Sequence, residues 1–186
     1  MSRNRFELIL ANLHFGNNEA IGQNNGLGKV LPLIRILIDN YQKIFSPGPD
    51  IVVDETMVAW RGRLIFRQYV PTKSHKYGIK LFKLRSTQGY TWFAKIYAGR
   101  DTNGIRQVGI TEEVRTELVD KLLNEGRTLF IDNFYTNYDL AVKFLNFKIH
   151  VIGTVRPNKK FMPKFVMSCP CSFHTTISTR NFLIFF

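Results

Sequence analysis

The chain has 186 residues, room for one domain with a real core, and its 45% hydrophobic and 13% aromatic content excludes an intrinsically disordered polypeptide. Lys and Arg outnumber Asp and Glu by 26 to 14, a formal charge of +12, so a polyanionic partner is expected. No apolar run approaches the roughly 18 residues of a membrane span, and Glu7, Asn12 and His14 interrupt the first apolar stretch, which argues against a signal peptide and for an intracellular protein.

Taken in chain order, Ser2 can cap a first helix with Phe6, Ile9, Leu10 and Leu13 at helical spacing. A polar, glycine-containing stretch from Gly16 to Gly28 leads to a second helix, Lys29 to Phe45, with Ile34, Leu37, Ile38, Tyr41 and Phe45 on one stripe. Both apolar faces are expected in the core. Ser46-Pro47-Gly48-Pro49 then forces a turn, and the period changes to that of strands. Ile51 to Trp60, Gly78 to Leu84 and Tyr90 to Ala98 are rich in β-branched and aromatic residues, with Ser86-Thr87-Gln88-Gly89 turning between the last two. A helix capped by Thr111 (Val114, Leu118 and Leu122 in register), a strand Thr128 to Asp132, a helix Asn137 to Leu145 and a strand Ile149 to Val155 complete the order βββαβαβ. Three antiparallel strands followed by α/β crossovers suit an α/β fold, a mixed five-stranded sheet flanked by helices and preceded by two N-terminal helices, because crossover helices bring the later strands in parallel. That order resembles the ribonuclease H-like fold. Trp60 and Trp92 are expected in the core.

The positive charge is concentrated. Residues 61–100 hold ten basic side chains and no acidic one, and residues 148–186 add six more with no carboxylate, so Asp139 is the last acid of the sequence. Ten unopposed charges interleaved with Phe66, Tyr69, Tyr77 and Phe82 suit a phosphate backbone, with Arg61, Arg63, Lys73, Lys76 and Lys80 as the expected DNA-binding residues; a merely solvated face is the alternative for any single lysine. His75 falls in the same block, while His14, His150 and His174 show no ligand spacing. Cys169 and Cys171 are too few for a disulfide framework or a four-ligand zinc site and fit a reducing compartment.

Two acids sit where strands are otherwise apolar: Asp54 in Ile51-Val52-Val53-Asp54-Glu55-Thr56-Met57, and Asp132 at the end of Leu129-Phe130-Ile131-Asp132. If the first and fourth strands are neighbours, the two carboxylates converge and become candidate catalytic residues and ligands for Mg²⁺, which takes hard oxygen donors. Asp54 would be the bridging ligand, and Glu55 a poor substitute because successive strand side chains point to opposite faces. An Asp at a strand end also serves an Asx turn, so Asp132 by itself keeps both readings.

Six pieces in order carry a resemblance: Met1-Ser2-Arg3-Asn4-Arg5-Phe6; Val53-Asp54-Glu55-Thr56-Met57 with Trp60-Arg61-Gly62-Arg63; Tyr69-Val70-Pro71-Thr72-Lys73; Lys76-Tyr77-Gly78-Ile79-Lys80; Ile131-Asp132-Asn133-Phe134-Tyr135-Thr136; and Ile152-Gly153-Thr154-Val155-Arg156. Together they resemble the piggyBac transposase family, from Met1 to about Lys164. The resemblance implies a ribonuclease H-like DDE transposase core that cuts and rejoins DNA at TTAA targets with Mg²⁺. It maps the first two family aspartates to Asp54 and Asp132, and implies DNA as partner, a nuclear location and a homodimer. It divides the chain into a helical segment at 1–50, a partial DDE core at 51–164 and a divergent tail at 165–186. The family's third aspartate lies beyond the Gly-Thr-Val-Arg strand, where this sequence has no acid, and its cysteine-rich zinc domain has no counterpart here. A transposase-derived fragment, catalytically incomplete, is therefore expected; the alternatives are a non-catalytic DNA-binding protein and a truncated product whose apolar end, Phe182 to Phe186, favours aggregation.

Overall fold

The computed structural model describes residues 1–17, 26–99, 116–132, 136, 138–154, 176–179 and 182–185. Helix α1 (Arg3–Ala11) starts where expected, with the Arg5 amide donating to the Ser2 hydroxyl at 3.4 Å. Its apolar stripe does not reach the core: Phe6, Ile9, Leu10 and Leu13 are about half exposed. Spacing specifies which face a helix would bury, and not that a partner covers it. Helix α2 (Leu31–Ile44) opens on Pro32 in its first turn. It too has no fully buried residue, and Leu37 is exposed, but Ile34, Ile38, Tyr41 and Phe45 are half-buried. Its C-terminal end docks through Tyr90, whose ring lies 4.6 Å from that of Phe45 and whose hydroxyl donates to the Tyr41 carbonyl at 2.9 Å.

A mixed sheet follows from β1 (Asp50–Ala59), β2 (Gln68–Tyr69), β3 (Tyr77–Ser86), β4 (Thr91–Ile96), β5 (Thr128–Ile131), β6 (His150–Thr154), β7 (Thr176–Thr179) and β8 (Phe182–Phe185). Strands β1, β3 and β4 pair antiparallel, β5 joins β1 in parallel and β6 joins β5 in parallel. These are the five expected strands in a β4-β3-β1-β5-β6 order, and the sheet is wider than expected. Strand β2 adds to the start of β3, and β8 pairs with β6 in parallel with β7 antiparallel on its outer side, so part of the 165–186 tail extends the sheet. Short strands separated from the rest by a cysteine-containing stretch carry too little periodicity to be read from sequence. At the β3–β4 hairpin, Gly89 takes a φ of +94°, its amide bonds the Ser86 carbonyl at 3.0 Å, and the turn closes as expected.

The core lies on one face of this sheet. Ile51 and Val53 of β1, Phe82 and Leu84 of β3, Leu129 and Ile131 of β5 and Val151 of β6 point into it, and Leu118, Val119 and Leu122, with Leu140, Ala141 and Phe144 of α3 (Tyr138–Asn146), cover it. Residues 116–119 are helical and run into a 3₁₀ turn, Asp120–Leu122; the expected Thr111 cap and Val114 lie outside the described residues. The Ser46–Pro49 turn is anchored to β5: Arg127 donates to the Pro47 and Gly48 carbonyls, and the Thr128 amide to Pro49 at 2.8 Å. That anchor sets β1 beside β5. Trp92 is buried as expected, whereas Trp60 is 43% exposed, because β1 runs past its parallel partner before reaching it.

Candidate two-aspartate site

The parallel register of β1 and β5 ends at Val53 opposite Ile131, so Asp54 and Asp132 are the next residues on neighbouring strands. Neighbouring strands lie about 4.8 Å apart. Val53 and Ile131 both point into the core, so alternation turns Asp54 and Asp132 together to the opposite face, at the carboxyl end of β5. The order of elements predicted that the first and fourth strands are neighbours, and β1 and β5 are.

The same register separates Glu55 from the pair. Glu55 sits opposite Phe82, on the core side, and its carboxylate pairs with Lys80 at 2.7 Å, both side chains being only 18% exposed. The Lys80 ammonium lies 5.0 Å from the Phe82 ring centroid and 5.8 Å from that of Tyr97. Lys80 therefore sits apart from the four other basic residues singled out in the sequence. Arg61, Arg63, Lys73 and Lys76 are exposed in the two loops around β2. Beside those loops lie the exposed Trp60, just past β1, and the cross-strand pair Tyr69 of β2 and Tyr77 of β3, their rings tilted at 4.8 Å with Arg67 4.8 Å above the Tyr77 ring.

Two cations that sequence reasoning did not single out face Asp54. Lys83 is its cross-strand partner on β3, and Arg85, two residues on, reaches Asp54 Oδ2 at 3.2 Å. Asp54 Oδ1 accepts the Glu55 amide at 2.8 Å. The Arg85 Nε is buried with no hydrogen-bond partner among the described residues, a cost that the ion pair with Asp54 offsets. Two Asp carboxylates on one face suit a single hard divalent cation, which takes one or two carboxylates and completes its shell with water and phosphate oxygens. Among the described residues no third His, Cys, Asp or Glu joins them. Asp101, Cys169, Cys171 and His174 lie outside the described residues.

The model of a DDE transposase family, described as transposase IS4, matches residues 1–181. The chain belongs to that family. Among its DDE transposases, it is a piggyBac transposase-derived chain. It is 28% identical over 160 residues to the human PiggyBac transposable element-derived protein 3, covering 84% of this chain and 27% of that one. To the human PiggyBac transposable element-derived protein 2 it is 27% identical over 158 residues, 83% of this chain and 27% of the other. A cryo-EM structure of a piggyBac transposase synaptic complex with hairpin DNA superposes with a TM-score of 0.83 at 26% identity, over 97% of this chain and 39% of that one. The piggyBac-like chain thus spans about a quarter of the length of these human relatives, with the ribonuclease H-like arrangement of a DDE transposase. The family match runs past Lys164, the end expected for the resemblance, to residue 181. Divalent metal use is general in DDE transposases. No helix among the described residues is long and apolar enough to cross a membrane.

Proposed function

We propose that this chain engages DNA in the nucleus as part of a DDE transposase core, with Asp54 and Asp132 sharing a Mg²⁺ ion and Arg61, Arg63, Lys73 and Lys76 holding the phosphate backbone. The observation that carries the reading is the parallel register of β1 and β5, whose last pair, Val53 and Ile131, immediately precedes Asp54 and Asp132. A divalent cation held by these two carboxylates would supply the positive charge that phosphoryl transfer needs at a phosphate oxygen. The side chains supply the rest. Asp54 and Asp132 would hold the cation that meets a phosphate oxygen, Arg85 and Lys83 balance the negative charge of the carboxylates, and the cationic loops fix the position of the duplex. With two carboxylates and no third acid beside them among the described residues, the 186-residue chain binds DNA and does not cut it.

The test is a strand-cleavage assay on a TTAA-flanked transposon end with Mg²⁺, beside duplex binding at several salt concentrations. Cleavage should stay at background. Binding should weaken steeply with salt, and the Arg61→Ala, Arg63→Ala, Lys73→Ala, Lys76→Ala combination should flatten the log-log slope by roughly one unit for each phosphate no longer neutralised. Cleavage by this chain that Asp54→Ala abolishes would mean that two carboxylates suffice. A salt-independent affinity would remove the DNA reading itself.

A further inference from the structure

Asp132 owes its place at the end of β5 to two residues outside the site. Gly153 of β6 lies opposite Ile131, and a Cβ built on it would stand 2.7 Å from the Ile131 carbonyl oxygen and 2.5 Å from the Thr136 hydroxyl oxygen. Only a hydrogen leaves room there. Thr136 fills this notch and is completely buried, one of two buried polar residues among those described. Its backbone N–H and its hydroxyl both donate to the Asp132 carbonyl oxygen, each at 3.0 Å.

The notch lies on the core side of the sheet, since Gly153 pairs with Ile131, whereas strand alternation carried one residue past Ile131 turns the Asp132 side chain to the other side. The backbone bond ties the Thr136 amide to the Asp132 carbonyl. The hydroxyl bond adds a second restraint on the same carbonyl, and burial makes its loss costly because no water replaces it. Fixing the carbonyl of Asp132 fixes the plane from which its Cα–Cβ bond departs.

We propose that Thr136, seated in the Gly153 notch, is a positioning residue that aims the Asp132 carboxylate at the cation it shares with Asp54. This rests on the two-aspartate reading above. It predicts that the hydroxyl of Thr136 controls cation affinity at a site it does not touch, whereas a purely structural Thr136 would alter stability alone.

The experiment titrates Mn²⁺ into the full 186-residue chain, reading free Mn²⁺ by electron paramagnetic resonance, with far-UV circular dichroism and thermal unfolding on each variant. Asp132→Asn should weaken binding and set the scale. Thr136→Val, which keeps shape and removes the hydroxyl, should weaken Mn²⁺ by roughly tenfold, the usual cost of losing a group that orients a ligand. Thr136→Ser should bind within about twofold of the parent even where its melting temperature falls, and Gly153→Ala should weaken binding at least as much as Thr136→Val. If Thr136→Val does not fold, Thr136→Ala against Thr136→Ser isolates the hydroxyl, and the alanine form must bind more weakly. Parent-like affinity in Thr136→Val, or equal affinity in the alanine and serine forms, overturns the positioning role while Asp132→Asn remains weak. Parent-like affinity in Asp132→Asn instead overturns the two-aspartate site itself.

Discussion

The two halves of β1 live in different surroundings. From Ile51 to Val53 the strand is paired with β3 on one side and β5 on the other, and Ile51 and Val53 are 0% and 2% exposed. Beyond Val53 only β3 remains, and by Val58 exposure has reached 43%. Asp54 is the first residue past the change. Its backbone inherits the rigidity of the doubly paired half while its carboxylate meets the open side, which is how a sheet can hold a charged group in a fixed place without burying it. The outer half leads instead into the cationic loops around β2, where exposure lets several charges reach one long polyanion. Rigidity locates chemistry; openness gathers charge.

The largest expected effect tests the doubly paired half. Leu129→Ala on β5 removes a fully buried side chain beside Ile51 and should cost about 2–5 kcal/mol of unfolding free energy in urea. Val58→Ala in the outer half should stay within about 0.5 kcal/mol. Equal costs would show that both halves belong to one packed unit. The next contrast separates the cations. Arg61→Ala should lower the salt slope of duplex binding by roughly one unit with stability nearly unchanged. Lys80→Ala removes the ion pair with Glu55, which is only 18% exposed, and should cost about 1 kcal/mol of stability while leaving the slope intact. A slope change at Lys80 would join the core side of β3 to the DNA footprint.

The adjacency of the strands that lead to Asp54 and Asp132 could be read in the sequence because it needs only strand order and the parallel sense that crossovers impose. The separate place of Lys80 could not be read that way. Its side depends on pairing with Phe82, Glu55 and Tyr97, and a one-residue shift in register would have turned it outward. Arg85 escaped notice for the same reason: it reaches Asp54 diagonally across β3. Thr136 left a faint signal, a hydroxyl four residues after Asp132 and ahead of a helical stretch, which reads as an ordinary turn or cap until Gly153 is known to lie beside it. The burial expected for Trp60 failed because its strand outruns its neighbour, and strand length is legible where the end of pairing is not.

The smallest expected effect concerns α1, an apolar-striped helix that buries no residue. Its Arg3 and Glu7 side chains pair at 2.7 Å one turn apart, at 87% and 57% exposure. Solvent screens such a pair, and its order, with the base N-terminal to the acid, is the less favourable one for a helix. Arg3 also lies in the first turn, where a positive charge opposes the helix dipole. Glu7→Gln should therefore move the global urea midpoint by less than about 0.5 kcal/mol equivalent. The change should be confined to faster hydrogen exchange at the amides of Phe6 to Ala11. A larger shift of the global midpoint would mean that α1 unfolds together with the sheet, so that its exposed stripe is coupled to the core after all; an unchanged midpoint with faster local exchange would make α1 a separate, weakly held unit.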